Sequence, residues 1–155
     1  MSYRICKILE VESGHMLSRH AGVCQFPHGH SRRVEVILAA PDLDERQMVC
    51  DFKVVRAALD ELLATLDHAL CVNTADPHFE TLRQAFGERV LPFENQDPTT
   101  EIIARFIYDR VAAELNRMGQ QSAAAYPVRP IVRLERVRVW ETSTSWAEYA
   151  PLQPL

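Results

Sequence analysis

Alternating apolar and polar positions predict β-strands towards both ends of the chain. Residues 3–15 and 28–39 each follow this period of two, and residues 16–27 between them are predicted to form a loop. A third alternating segment, residues 131–141, predicts another strand near the C-terminal end. The short apolar run 47–50 is interpreted as a further short strand.

Apolar residues spaced three and four positions apart predict helices in the middle of the chain. The predicted helices cover three segments: 52–66, 78–86 and 101–118. Asp51 is predicted to be the N-cap of the first, because its short carboxylate can accept a hydrogen bond from a free backbone N–H. Thr99 or Thr100 is expected to cap the last helix, and residues 119–122 are predicted to form the loop after it.

Strands at both ends of the chain with helices between them predict an α+β fold. We expect an antiparallel four-stranded sheet with two helices on one face, in a single domain over residues 1–155. Such a sheet leaves the backbone groups of its outer strands unpaired. Open edges favour pairing with another copy of the chain, so a homo-oligomer is expected.

Composition narrows the classes of function. The chain has 155 residues and a net charge of −4, which argues against broad electrostatic binding to nucleic acid. No apolar stretch approaches the roughly 20 residues that span a bilayer, and the N-terminus lacks the pattern of a secretory signal. The four cysteines show no C-x-x-C spacing and are expected to be reduced thiols. We therefore expect a cytoplasmic protein with no membrane partner.

Histidines cluster where the first two predicted strands meet the intervening loop. Cys24, His28 and His30 form the pattern C-x3-H-G-H, and His15 ends the first strand. Two histidines separated by one residue of a strand point to the same face. A third imidazole from a neighbouring strand would complete a catalytic zinc site with one open coordination position. A single H-x-H pair also arises by chance, but its combination with His15 and Cys24 favours the metal.

Cys24 and Glu141 each have an ordinary alternative. A thiol near a bound cation loses its proton more readily and can act as a base, yet an isolated cysteine is more often an inert apolar residue. Glu141 shares the parity of Val137 and Val139 on the last predicted strand. A carboxylate on an apolar face needs a partner, so Glu141 is either a ligand-binding group or the solvent-exposed end of a strand.

Six short motifs in order resemble the 6-pyruvoyl-tetrahydropterin synthase and 6-carboxytetrahydropterin synthase family over nearly the full chain. They are Glu12-Ser13-Gly14-His15, Cys24 to His30, Val49 to Lys53, Leu66-Asp67-His68, Asp97 to Glu101, and Val139-Trp140-Glu141-Thr142. Each motif is weak alone, and their shared order carries the resemblance.

The resemblance implies roles for residues at matching positions. His15, His28 and His30 would bind Zn²⁺. Cys24 would be the catalytic thiol. Three further residues would contact the pterin: Glu141 would bind the N–H edge of the ring, with Thr100 and Glu101 nearby.

The resemblance also implies how the subunits assemble. Asp67 and His68 would assist the Cys24 of an adjacent subunit. The expected architecture is the tunnelling fold (T-fold), in which subunit sheets join edge to edge into a barrel formed by oligomerisation. A ring of three or four subunits is expected, stacked as two rings.

The implied activity is that of a zinc-dependent lyase. It would convert 7,8-dihydroneopterin triphosphate to 6-carboxy-5,6,7,8-tetrahydropterin, with loss of triphosphate and acetaldehyde, in 7-deazaguanine (queuosine) biosynthesis. One alternative is a 6-pyruvoyl-tetrahydropterin synthase or related pterin side-chain lyase. Another, of a different class, is a zinc-stabilised oligomerisation module without activity. Four residues depart from the family pattern: Val11, Arg32, Arg33 and Ile102.

Overall fold

The computed structural model describes residues 1–121 and 126–151. Its strands are β1 (Tyr3–His15), β2 (His28–Ala40), β3 (Leu70–Asn73), β4 (Val90–Phe93), β5 (Arg133–Thr142) and β6 (Ser145–Tyr149). Its helices are α1 (Phe52–Leu66), α2 (Phe79–Phe86) and α3 (Thr100–Gly119). None of these described helices is both long enough and apolar enough to cross a membrane.

One six-stranded sheet, in the order β4-β3-β1-β2-β5-β6, organises the molecule. β1 and β2 form a long antiparallel pair whose register runs from Tyr3 opposite Ala40 to His15 opposite His28. β5 pairs antiparallel with β2, and β6 pairs antiparallel with β5. β3 lies parallel to the end of β1, at Gly14 and His15, and β4 lies parallel to β3.

The expectation of a four-stranded antiparallel sheet with two helices was wrong in its details, although the α+β class was right. The sheet has six strands and mixed direction, and three helices accompany it. β3 and β4 have only four residues each, so neither shows a period from which a strand could be predicted. The single-domain prediction over 1–155 stays a prediction.

The predicted strand at 47–50 is also wrong, because this segment forms an irregular turn. The carboxylate of Asp44 accepts hydrogen bonds from the backbone N–H groups of Arg46 and Met48, which holds the chain in a turn. Its apolar residues are nevertheless buried, since Val49 and Cys50 pack into the core. An apolar run of this length therefore predicted burial correctly and backbone conformation wrongly.

The core lies between one face of the sheet and helices α1 and α3. Alternate residues of β2 and β5 face it, including Val34, Val36 and Val137, which are fully buried. Asp51 caps α1 by accepting from the Lys53 N–H, as predicted. Of the two candidate caps for α3, the hydroxyl of Thr99 accepts from the Ile102 N–H.

The ends of α3 and α2 lie close to the predicted boundaries. α3 begins at Thr100 and includes Gly119, so the loop predicted at 119–122 begins later than expected, and Ser122 lies outside the described residues. In α2, His78 is the N-cap residue and the helix itself begins at Phe79.

Candidate metal and catalytic site

Three histidines converge where β1 and β2 meet the intervening loop. His15 is the last residue of β1, while His28 and His30 occupy alternate positions at the start of β2. The centroid of the His15 ring lies 4.5 Å from that of His28 and 5.1 Å from that of His30, and the last two rings are also 5.1 Å apart. The predicted same-face arrangement of these rings is present in the structure.

Backbone carbonyls hold two of the rings in a single tautomer. Nδ1 of His15 lies 2.8 Å from the carbonyl oxygen of Pro98, and Nδ1 of His28 lies 2.8 Å from that of Phe26. Because a carbonyl oxygen can only accept, each Nδ1 must carry the proton. Each Nε2 then keeps its lone pair, which is the arrangement of histidines that ligate metals.

Glu141 joins the histidines as a fourth donor. Its Oε1 lies 3.3 Å from His15 Nε2 and 3.1 Å from His30 Nε2, and these two nitrogens are 3.2 Å apart. One ligand atom from each of the four residues lies within 4.8 Å of the others. Neighbouring ligands around a tetrahedral zinc are roughly 3.3 Å apart, given Zn–N distances near 2.05 Å. The nitrogen and oxygen donor set therefore fits zinc.

Burial favours the uncharged form of two histidines of the cluster, His15 and His30. It lowers the pKa of His15 to about 4, and the positive charge of Arg32 acts in the same direction, while the bond to Pro98 and the Glu141 carboxylate oppose the shift. The pKa of His30 is lowered as well, again mainly by burial. Neutral imidazoles are the form that binds a metal ion.

Arg32 lies fully buried behind the cluster. Its Nε donates to the Ser13 hydroxyl at 3.1 Å and its Nη1 donates to the Thr100 hydroxyl at 3.3 Å. Its Nη2 lies 3.2 Å from the Nδ1 of His15. Burial lowers the pKa of the guanidinium, and the negative charge of Glu141 raises it. The cationic side chain thus joins β1, β2 and the start of α3 at the back of the site.

Cys24 lies in a 3-10 turn, Val23–Gln25, within the loop between β1 and β2, and is half-buried. Its carbonyl oxygen accepts from the Leu17 N–H at 3.0 Å. The other three cysteines are poor candidates for a reactive thiol, because burial raises their pKa values. The pKa reaches about 11 at Cys50 and about 12 at Cys71, and is also raised at Cys6.

Asp67 and His68 form a pair at the end of α1. The Oδ2 of Asp67 lies 2.8 Å from the Nδ1 of His68, and this contact is the main cause of a lowered pKa at Asp67. Both residues bind Glu12 of β1: Asp67 Oδ1 accepts from its N–H, and the His68 N–H donates to its carbonyl. His68 has a φ of 58°, an uncommon left-handed conformation for a non-glycine residue.

An open pocket of about 420 Å³ brings His68 to the same surface as His30, with Glu12 and Ser31 among its lining residues. Cys24 is not among the described residues that line it. The pair and the thiol of one chain are therefore not brought together in this pocket.

The two remaining predicted residues lie in the first turn of α3. Thr100 is buried, and its hydroxyl contacts Arg32, so it faces the back of the histidine cluster. Glu101 is exposed one residue later. The contact of Glu141, Thr100 and Glu101 with a pterin stays a prediction, and Glu141 has the histidines as its immediate partners.

Comparison with known proteins places this site in a family. The sequence model of the family described as 6-pyruvoyl tetrahydropterin synthase matches residues 4–151. The chain belongs to that family. Relatives with curated names support the assignment to the 6-pyruvoyl tetrahydropterin synthase family along the whole chain.

Two bacterial relatives named 6-carboxy-5,6,7,8-tetrahydropterin synthase match this chain over nearly its full length. The protein from Aquifex aeolicus is 30% identical, covering 96% of this chain and 98% of the relative. The protein from Haemophilus influenzae is 29% identical, covering 95% and 98%.

Solved structures agree on the fold of this family member. The 6-pyruvoyl tetrahydropterin synthase of Caenorhabditis elegans superposes with a TM-score of 0.66 at 16% identity, covering 98% of this chain and 97% of that one. An uncharacterised protein from Wolinella succinogenes superposes with a TM-score of 0.76 at 21% identity, covering 98% and 99%. The α+β fold is thus that of the T-fold synthases.

Sequence reasoning overlooked two residues that shape the site of this synthase-family chain. Arg32 departs from the family pattern, but it shares the parity of His28 and His30, and this parity places it on their face of β2. The carbonyl of Pro98 left no signal, because a backbone acceptor has no residue type by which to recognise it.

Proposed function

We propose that this protein is a zinc-dependent pterin lyase of the 6-carboxytetrahydropterin synthase type. The observation that carries the proposal is the convergence of three imidazoles and one carboxylate at spacings that suit tetrahedral zinc. His15, His28 and His30 would hold the ion. Full-length relatives named as 6-carboxy-5,6,7,8-tetrahydropterin synthases support the choice of 7,8-dihydroneopterin triphosphate as substrate.

Zinc bound at the histidines would supply Lewis-acid polarisation of the hydroxylated pterin side chain. The chain's own residues then have to move protons. Cys24 is proposed to remove a proton from a side-chain carbon, since the raised pKa values of the other three thiols disfavour their ionisation. Addition of one water molecule and loss of triphosphate and of acetaldehyde would complete the conversion to 6-carboxy-5,6,7,8-tetrahydropterin.

The Asp67–His68 pair is proposed to shuttle protons in the same reaction. Asp67 holds the Nδ1 of His68 at 2.8 Å, which leaves Nε2 for exchange with the substrate. The pair sits on an open pocket whose described lining does not include Cys24. The presence of His68 and the absence of Cys24 in the described lining of this pocket support a site completed by the Asp67–His68 pair of an adjacent subunit.

Two open edges of the sheet support assembly through β-strand pairing. β6 ends the sheet on one side. On the other side β3 pairs with β1 only at Gly14 and His15, so among the described strands residues 3–13 of β1 pair only with β2. We propose that these edges join neighbouring subunits into a ring of three or four, stacked as two rings.

Glu141 has two candidate roles in this proposal. Its short distances to His15 and His30 favour a role at the metal, either as a fourth ligand or as a base next to the ion. The family resemblance favours binding the N–H edge of the pterin, with Thr100 and Glu101 nearby. Separate measurements of zinc and pterin affinity distinguish the two roles.

Turnover of 7,8-dihydroneopterin triphosphate by the zinc-loaded protein tests the proposed function, with mass spectrometry of the pterin product. Formation of 6-carboxy-5,6,7,8-tetrahydropterin together with acetaldehyde is the expected result. A 6-pyruvoyl product would assign the chain to the other branch of the family. Zinc binding and assembly without turnover of any reduced pterin would favour the oligomerisation module.

A further inference from the structure

The loop between β1 and β2, residues 16–27, carries Cys24 and is hereafter the thiol loop. Asp97 is one of the residues outside the loop that hold it. Its Oδ2 accepts a hydrogen bond of 2.8 Å from the backbone N–H of Arg19. A carboxylate bonded to the backbone constrains the path of the loop itself, whichever side chains the loop carries.

Asp97 is nine-tenths buried and is satisfied by uncharged donors. Its second oxygen, Oδ1, accepts from the side-chain amide of Asn73 at 2.8 Å. The orientation of that amide follows from its other end, because Asn73 Oδ1 accepts from the Ala75 N–H at 2.9 Å. Asp97 therefore faces two groups that can only donate, and both of its oxygens are required as acceptors.

The residue after Asp97 is Pro98, whose carbonyl oxygen holds the Nδ1 of His15. A single dipeptide thus binds the thiol loop through a side chain and a metal-site histidine through its backbone. The next two residues link this dipeptide to α3 and to the back of the site, because Thr99 caps α3 and the Thr100 hydroxyl accepts a hydrogen bond from Arg32. The thiol loop and the histidine cluster are therefore both hydrogen-bonded to the dipeptide Asp97-Pro98.

We propose that Asp97 is a positioning residue that sets the thiol loop, and with it Cys24, against the histidine cluster. The catalytic part of this inference rests on the proposed function, in which Cys24 acts as the base. The structural part concerns only the loop and can be measured without substrate.

The test is Asp97→Asn, which keeps the size of the side chain and replaces one acceptor by a donor. That donor must face the N–H of Arg19 or the amide N–H of Asn73, so one of the two bonds is lost. Hydrogen exchange at the Arg19 amide and alkylation of Cys24, followed on its peptide by mass spectrometry, report the loop directly. We expect both to accelerate on the order of 10-fold.

Asp76→Asn is the matched control. Asp76 is also buried and also holds the thiol loop, through the hydroxyl of Ser18 and the N–H of His78. A hydroxyl can accept as well as donate, so the amide of Asn at position 76 can keep both partners. Its exchange and alkylation rates should stay within about twofold of the wild type.

The exchanged pair Asn73→Asp with Asp97→Asn is the rescue. In this variant the new carboxylate accepts from the Ala75 N–H and from the amide at position 97, whose oxygen still accepts from the Arg19 N–H. All three hydrogen bonds and the net charge are kept. Exchange at Arg19, alkylation of Cys24 and kcat should therefore recover towards wild-type values, with KM changing less than kcat in Asp97→Asn.

The outcomes separate cleanly. Wild-type exchange and alkylation in Asp97→Asn, or failure of the exchanged pair to restore them, would overturn the proposal. Accelerated exchange with unchanged kcat would leave Asp97 as a structural anchor and overturn its positioning role. If the wild-type protein turns over no pterin while the loop measurements behave as expected, the proposed function fails and the assignment of Asp97 to the loop stands.

Discussion

Glu141 Oε1 lies 3.1 Å from His30 Nε2, on the face of the sheet that also carries the buried Val137 and Val139. The parity of the last strand left two interpretations of this carboxylate open, a ligand-binding group or the solvent-exposed end of a strand. The partner of Glu141 is a cluster of imidazoles, each of which offers one ligand nitrogen within reach of a shared cation. A shared cation is the simplest way to stabilise these donors at such short separations.

Replacing Glu141 by Gln should weaken zinc binding by about 10- to 100-fold. The amide keeps the shape but removes the negative charge that faces His15 and His30. Competition with a chromophoric chelator measures the affinity, and pterin binding at saturating zinc is measured separately.

Glu35→Gln is the control, because Glu35 is a buried carboxylate whose partners are Trp140 and Arg33. It should leave zinc affinity unchanged. If Glu141→Gln keeps its zinc affinity and loses one to three orders of magnitude in pterin affinity, the ring-binding role is the correct one.

The double substitution His28→Ala with His30→Ala should abolish stoichiometric zinc binding, because it removes two of three imidazole donors. Elemental analysis of the purified protein provides the measurement. His78→Ala serves as the control, since His78 is exposed at the start of α2 and should not affect metal content. Stoichiometric zinc in the double variant would place the metal elsewhere.

The metal-free protein should lose stability as the pH falls from about 6.5 to about 4, because His15 has a pKa of about 4 in the fold against 6.5 in the unfolded chain. Between these two pH values the His15 side chain binds a proton in the unfolded chain but not in the folded chain. The contribution is fully present above pH 6.5 and lost below pH 4, and corresponds to on the order of 3 kcal/mol.

Urea unfolding with a chelator present, at pH 7.5 and pH 4.5, measures this effect in the wild type and in His15→Asn. Titrating groups that do not contact His15 contribute nearly equally to both proteins. The free energy of unfolding should therefore fall less in the variant. Equal losses in the two proteins would show that His15 is not the group responsible.

Cys24→Ala should lower turnover by about 10²- to 10⁴-fold, as removal of a general base typically does, while zinc content stays at the wild-type level. Cys6→Ala is the matched control, because Cys6 is an exposed thiol of β1. Near-normal turnover in Cys24→Ala would assign the base to another residue, with His68 the first candidate.

Co-expression of Cys24→Ala with His68→Ala should restore part of the activity that each variant lacks alone. In mixed rings some interfaces pair an intact Cys24 with an intact His68, as the shared-site proposal requires. Differently tagged subunits confirm that the rings are mixed. Verified mixed oligomers without any recovery would mean that each subunit holds its own complete site.

Local patterns of sequence were sufficient for much of this protein. The period of two in β1, β2 and β5 predicted their extents to within two residues, and Asp51 was recognisable as a cap, as was the pair Thr99 and Thr100, of which Thr99 is the cap. The common face of His28 and His30 followed from the same period. These features depend on neighbouring residues, and interactions between neighbours are visible in the order of residue types.

Tertiary structure alone decided the rest. β3 and β4 are too short to show a period, and their parallel pairing joins segments distant in the chain. Asp44 turned an apolar run away from the strand conformation. The bond between His15 and Pro98 spans 83 positions of sequence. The environment of the metal site, including the burial of Arg32 and the anchoring of the thiol loop by Asp97, arises only when folding brings such distant groups together, because desolvation and hydrogen-bond partners depend on the completed fold.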